Sequence, residues 1–332
     1  MGADMEQSVP DALDVQEFTS VHTATLPNGL RVEYALHGHD EAPQKVVLVM
    51  GLAAEKEAWT SFVTAFFCVP NTLNTFQLAT VDNRGVGGTD APKGRYSTSS
   101  MAQDVLLLMD HLQWNTFHIA GVRFVLLSRP LSWMPACSMG GMISQEVAYA
   151  APTRVRSLTL MVSTPGFTEA PWPRWTQISA YLSLIGNFFN PTLHARTQTM
   201  LKVLYPDEYL ENVAVGSALY TVHSTRIKTS RVRTRGLIGQ YSAVLSHRMP
   251  RSRLAKIKDA EIPVLIIGGG KDRLLPSSHS EALRCHLDSP HTTIVVIQGG
   301  GHGIFTQFRT DVTNAFVQHM TRSDRSMLFS KY

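Results

Sequence analysis

Three short stretches of this chain carry residues able to do chemistry together. Ser138 stands in Cys137-Ser138-Met139-Gly140-Gly141, Asp272 in Gly270-Lys271-Asp272-Arg273, and His302 in Gly299-Gly300-Gly301-His302-Gly303. A serine hydroxyl is a weak nucleophile until an imidazole takes its proton. A carboxylate can hold that imidazole in the productive tautomer and stabilise its cation. The three residue types, in the chain order Ser, Asp, His, point to acyl transfer. Cys137 offers a thiol next door, but the glycine-bearing helix start belongs to Ser138, so Cys137 reads as a bystander.

Such side chains need rigid elements behind them, and the hydrophobic pattern supplies candidates. Two short alternating strands, His22–Leu26 and Arg31–Leu36, flank the turn signal Asn28-Gly29. Lys45–Met50 is a continuous Val/Leu run that reads as a strand buried on both faces. Further strands are expected at Gln77–Val81, Phe117–Val122, Val155–Val162, Pro263–Gly268 and Thr292–Ile297. Helical spacing marks Thr98–Trp114, Met142–Ala151, Ser277–Leu287 and Phe305–Met320. This alternation predicts an α/β fold with a mostly parallel central sheet and helices on both faces. Asp272 and His302 each follow an expected strand, where open α/β sheets bind ligands.

Between Pro165 and Ile262 the alternation stops. Residues 165–262 are expected to form a helical lid, or cap, inserted between strands 6 and 7 above the strand ends. The core is then 21–164 plus 263–322, preceded by a flexible polar arm over 1–20. Trp172, Trp175, Tyr181, Phe188, Phe189 and Tyr205 supply the cap with aromatic surface, for helix packing or for an apolar underside over a ligand. Arg226, Lys228, Arg231, Arg233 and Arg235 form one dense basic run, read as a solvated face, with steering of an anionic substrate as the alternative.

Composition narrows the classes. The 332 residues are 44% hydrophobic and 17% charged, which excludes a disordered or coiled-coil chain. A net charge of +4 is mild at this length, and nucleic acid is not an expected partner. The three cysteines, Cys68, Cys137 and Cys285, fit neither a zinc site nor a disulfide framework. No apolar run reaches the length of a membrane span, and the acidic start lacks a secretory pattern, so a cytoplasmic protein is expected.

With these residues the chain resembles the α/β-hydrolase superfamily, in its single-domain esterase, lipase and iminopeptidase form, over roughly residues 22 to 322. Asp82-Asn83-Arg84-Gly85-Val86-Gly87-Gly88-Thr89-Asp90 is similar to that superfamily's D-x-R-G-x-G-x-S loop. Asp82 and Arg84 are read there as hydrogen-bonding turn residues. The loop is no dinucleotide fingerprint, because Asp90 occupies the third glycine's place, and Gly268-Gly269-Gly270-Lys271 is no phosphate loop. The resemblance implies a serine hydrolase with Ser138 as nucleophile, His302 as base and Asp272 as acid. It also implies an oxyanion hole from the backbone amides of Leu52 and Met139. Met50 stands where the family carries histidine, a change that leaves a backbone amide untouched. The expected substrate is a small or medium hydrophobic ester, amide or lactone, with neither metal nor organic cofactor.

One departure bears on activity. The strand ends at Gly121-Val122, yet Ser138 follows only after Arg123–Cys137. Removing those 15 residues leaves Gly-Val-Ser-Met-Gly-Gly, a complete nucleophile elbow; with them, Ala136 takes the first glycine position in a strained turn. The segment 123–137 is an anomalous insertion, read either as a translated intron or as genuine protein. In the second case either Ser132–Cys137 supplies a replacement strand and the hydrolase stays active, or the elbow is misplaced and the chain binds a ligand without catalysis. Separately, the resemblance leaves open a cofactor-free carbon–carbon hydrolase or lyase on the same triad.

Overall fold

The computed structural model describes residues 20–122, 139–166, 169–188 and 192–329. The expected arm over 1–20 lies outside these residues except for Ser20, as do the insertion 123–137 and the candidate nucleophile Ser138.

Among the described residues, eight strands build one sheet: β1 (Val21–Thr25), β2 (Arg31–His37), β3 (Gln44–Val49), β4 (Phe76–Val81), β5 (Phe117–Val122), β6 (Val155–Met161), β7 (Val264–Gly269) and β8 (Thr292–Ile297). Their order is β1-β2-β4-β3-β5-β6-β7-β8. β2 runs antiparallel to both β1 and β4, and all other neighbours are parallel. The run Val46–Val49 is buried on both faces, as its unbroken apolar sequence demands. Val47 and Val49 join the core beneath the helices Thr98–His111 and Met139–Ala150. Val46 and Leu48 join the opposite core, against Thr60–Cys68 and Arg309–Phe329. Strand alternation thus divides one β3 run between two hydrophobic cores.

The helix expected to reach Trp114 ends at His111: Leu112 caps it, and Gln113 has a left-handed φ of 58°. It begins with Ser97 and Ser100 bonded reciprocally as a capping box. The last expected helix is two, Ile304–Gln307 and Arg309–Phe329. Between β6 and β7 the chain forms the helices Trp175–Phe188, Leu193–Leu204, Asp207–Leu210, Val213–Thr229, Thr234–Ser246 and Arg251–Asp259. A bridge between Gly166 and Arg248 ties the start of this helical block to its end.

Two contacts fix what stands at the carboxyl ends of the strands. A Cβ on Gly140 would lie 2.4 Å from the Val122 carbonyl oxygen and 2.5 Å from that of Val49. The helix Met139–Ala150 therefore starts hard against the ends of β3 and β5, where only a residue without a side chain fits.

The second contact is a buried charge cluster. Lys56 is wholly buried, its Nζ 2.5 Å from Glu33, 2.8 Å from Glu57 and 3.2 Å from Asp82. Arg231 of the helical block adds pairs with Glu55 at 3.0 Å and Glu33 at 3.2 Å. Burial alone would lower the lysine, yet Asp82, Glu33 and Glu57 outweigh it and hold Lys56 above its ordinary value. Burial pushes the Asp82 carboxyl up to about 7, against the pull of Lys56. Asp82 Oδ1 also accepts the Lys56 amide at 2.7 Å, and Arg84 forks onto Asp104 with two 2.6 Å bonds. Both are the turn builders their loop suggests. Gly87 is needed there, because a Cβ at its φ of 56° would reach within 1.9 Å of Asp82 Oδ2.

Two outcomes follow. Gly140→Ala should lose about 1–3 kcal/mol by overpacking the helix start; a urea midpoint equal to the parent's removes the close-approach argument. Lys56→Met should lose about 3–5 kcal/mol, because it leaves buried carboxylates without their cation. That deficit should shrink as pH falls from about 8 to about 5. Burial already raises the Asp82 carboxyl, and without the Lys56 cation it binds its proton still more tightly folded than unfolded, so acid favours the folded variant. Thermal melts across that range check the sign, and a deficit that widens in acid contradicts it.

Candidate active site

Asp272 and His302 come from separate turns, after β7 and after β8, and the sheet brings them together. His302 Nδ1 lies 2.7 Å from Asp272 Oδ2, and both side chains are wholly buried. Asp272 Oδ1 accepts the amides of Leu274 at 2.7 Å and Leu275 at 2.8 Å. One carboxylate oxygen is thus locked by backbone, which aims the other at the imidazole. The glycines around His302 serve packing. A Cβ on Gly269 would sit 2.4 Å from the Gly300 carbonyl oxygen, so the two turns touch backbone to backbone.

Met139 and Leu52, the expected oxyanion donors, are both buried at this same edge. Gly140, next to Met139, comes close enough that a Cβ there would be 3.0 Å from the Met50 carbonyl oxygen. Asn83 donates to that carbonyl at 2.7 Å, anchoring the base of the loop that carries Leu52. Ala53, one residue on, has a left-handed φ of 56° and donates its amide to Gln240 Oε1 at 2.8 Å. Ser138, the candidate nucleophile, lies outside the described residues; its chain neighbour Met139 opens the helix at the β3 and β5 ends.

The helical block is fastened to this site by polar contacts that no sequence signal announced. The Leu274 carbonyl, two residues past Asp272, accepts from Gln177 Nε2 at 3.1 Å and from the Tyr181 hydroxyl at 2.9 Å. Gly303 donates its amide to the Leu204 carbonyl at 2.8 Å. Tyr205 packs on Gly303, where a Cβ would meet its ring at 2.5 Å, and its hydroxyl pairs with His223 Nε2 at 3.0 Å. Burial, and then the nearby Arg226 charge, pull His223 down to about 3, so it stays a neutral partner of Tyr205. Gln177, Tyr181 and His223 are ordinary polar and aromatic positions on helices and Tyr205 directly follows one, so only the packed structure shows what each one faces.

Other expectations fare differently. Trp172 and Trp175 are 92% and 75% exposed, so they line no underside of the block. Phe189 lies outside the described residues, and Phe188 belongs to the helix Trp175–Phe188. The basic run is not one free patch: Arg231 is spent on Glu55 and Glu33, and Arg226 is set among Tyr205 and Glu57. Among the described residues no group of three or more His, Cys, Asp or Glu could hold a metal ion, and no helix is long and apolar enough to cross a membrane.

The comparisons agree with this architecture. Over 293 residues the chain is 24% identical to a Bacillus subtilis protein provisionally named 2-succinyl-6-hydroxy-2,4-cyclohexadiene-1-carboxylate synthase, covering 85% of this chain and 92% of that one. It is 26% identical over 202 residues to the pimeloyl-[acyl-carrier protein] methyl ester esterase of Xylella fastidiosa, covering 57% of this chain and 70% of that one. Among solved structures, a hydrolase from Pseudomonas aeruginosa superposes with a TM-score of 0.69 at 20% identity, over 92% of this chain and 99% of the other. The enol-lactonase of Burkholderia xenovorans gives 0.66 at 20% identity, over 90% and 100%. The family described as serine aminopeptidase, S33, matches residues 40–307, and with that span and this sheet the chain belongs to that family of α/β-hydrolase-fold enzymes.

Proposed function

We propose that the chain is a serine hydrolase that cleaves a small or medium hydrophobic ester, amide or lactone through an acyl-enzyme. Ser138 attacks the carbonyl carbon while His302 takes its proton. The backbone amides of Leu52 and Met139 receive the oxyanion, and His302 returns the proton to the leaving group. A water molecule activated by His302 then releases the acid and restores the serine. Asp272 holds the imidazole through Nδ1, which leaves Nε2 to face the reacting atoms. The helical block 165–262 acts as the cap that covers the acyl group and keeps bulk water from the oxyanion.

The observation that carries this reading is the buried His302–Asp272 pair at 2.7 Å, whose carboxylate is fixed by two backbone amides at the sheet edge where the helix Met139–Ala150 begins. The names of two relatives, a methyl ester esterase and a provisionally named carbamate hydrolase, and of a fold neighbour, an enol-lactonase, support this bond class.

The test is labelling of the purified chain with a fluorophosphonate probe, followed by peptide mass spectrometry and an ester panel of graded acyl length. The label should fall on Ser138 and vanish in His302→Ala. Asp272→Asn should lower kcat by about 10³–10⁴, since the imidazole is then held in the wrong tautomer. A folded chain that takes no label, as it stands and again with 123–137 deleted, sinks the hydrolase reading. Labelling only after the deletion assigns the insertion as an inactivating segment.

A further inference from the structure

The loop that carries Leu52 is held by a residue almost two hundred positions away. Gln240 lies on the helix Thr234–Ser246 and is wholly buried. Its Oε1 accepts the Ala53 amide at 2.8 Å, and its Nε2 donates to the Arg84 carbonyl at 2.9 Å. One planar amide thus bridges the loops that follow β3 and β4. The helix reaches this depth because Gly236 packs on Gly85 backbone to backbone, where a Cβ on Gly236 would lie 2.2 Å from the Gly85 carbonyl oxygen. Ala53 needs the help: at a φ of 56° it occupies the left-handed region, which its Cβ disfavours. A conformation of that kind persists only where the surroundings over-determine it.

We infer that Gln240 is a positioning residue of the oxyanion loop, a role that rests on the acyl-enzyme reading above. By capturing the Ala53 amide, Gln240 holds Ala53 left-handed and fixes the turn that points the Leu52 amide at the reacting carbonyl. Without it, Ala53 relaxes towards right-handed φ and the Leu52 N–H swings off the oxyanion. The helical block is then part of the catalytic scaffold as well as its cover. Substrate affinity does not depend on this bond, because the oxyanion forms only in the transition state.

The test uses the full chain on a p-nitrophenyl ester, with thermal melts to select folded variants. Gln240→Met keeps the volume and removes both hydrogen bonds. It should lower kcat about tenfold or more and leave KM within about twofold, a milder effect than deleting an oxyanion donor outright. Adding Ala53→Gly should return part of that loss, about threefold, because glycine adopts positive φ without penalty. Gln240→Asn, a methylene too short to span both loops, carries the same test if the methionine variant does not fold. An active parent whose folded variants keep kcat, or lose kcat and affinity together with no recovery from Ala53→Gly, overturns the role of Gln240 alone. Where only the form lacking 123–137 takes the fluorophosphonate label, the same variants are made and read in that form; silence from both forms overturns this inference together with the acyl-enzyme reading.

Discussion

The close approach of Gly140 to the ends of β3 and β5 is the constraint on which the rest of the site depends. Parallel strands deliver their loops to one edge of a sheet, and a helix can begin among those loops only if its first turn presents no side chain to the carbonyls behind it. Gly121 meets the same demand from the strand side: a Cβ there would stand 2.3 Å from the Gly140 carbonyl oxygen. With both positions bare, the first amides of the helix lie beside the Met50–Leu52 loop. Helix N-termini offer unpaired N–H groups and a positive dipole end, so this edge suits a developing negative charge before any particular substrate is considered.

Around that edge the polar groups are satisfied by partners from distant parts of the chain. Gln177 and Tyr181 hold the Leu274 carbonyl, Gly303 donates to Leu204, and Arg231 reaches Glu55 and Glu33. The helical block is therefore built into the hydrogen-bond system of the core at several points. Breaking one such bond in a buried setting leaves an unsatisfied group, which costs more than the bond contributes when formed. Wholesale swinging of the block is disfavoured on that account.

The buried charges obey the same logic. Lys56 offsets carboxylates from three segments, β2, the turn after β4 and the stretch after β3, so its ammonium sets how these segments meet. Burying so many charges is costly, and well-packed apolar residues could in principle be as stable. What the cluster supplies is directionality: each carboxylate has a donor at a defined angle, and the loop bearing Leu52 runs directly into it.

The sequence alone determined where the strands lie. The short Val-rich apolar run at β3 reads as a strand covered on both faces, and Phe117–Val122 and Thr292–Ile297 occupy the bounds read for them, because run length and β-branched content are local signals. It also determined the residue types at the turns after β7 and β8, since Asp272 and His302 stand out against their glycines. Only the tertiary structure decided that these two touch, that Leu274 and Leu275 lock the carboxylate, and that Gln240, Gln177 and Tyr181 reach in from the helical block. A glutamine on an amphipathic helix has the same local pattern whether it faces water or grips a loop 187 residues away. Its role is set by which helix face the glycines at 85 and 236 allow to approach, a packing decision that no window of sequence contains.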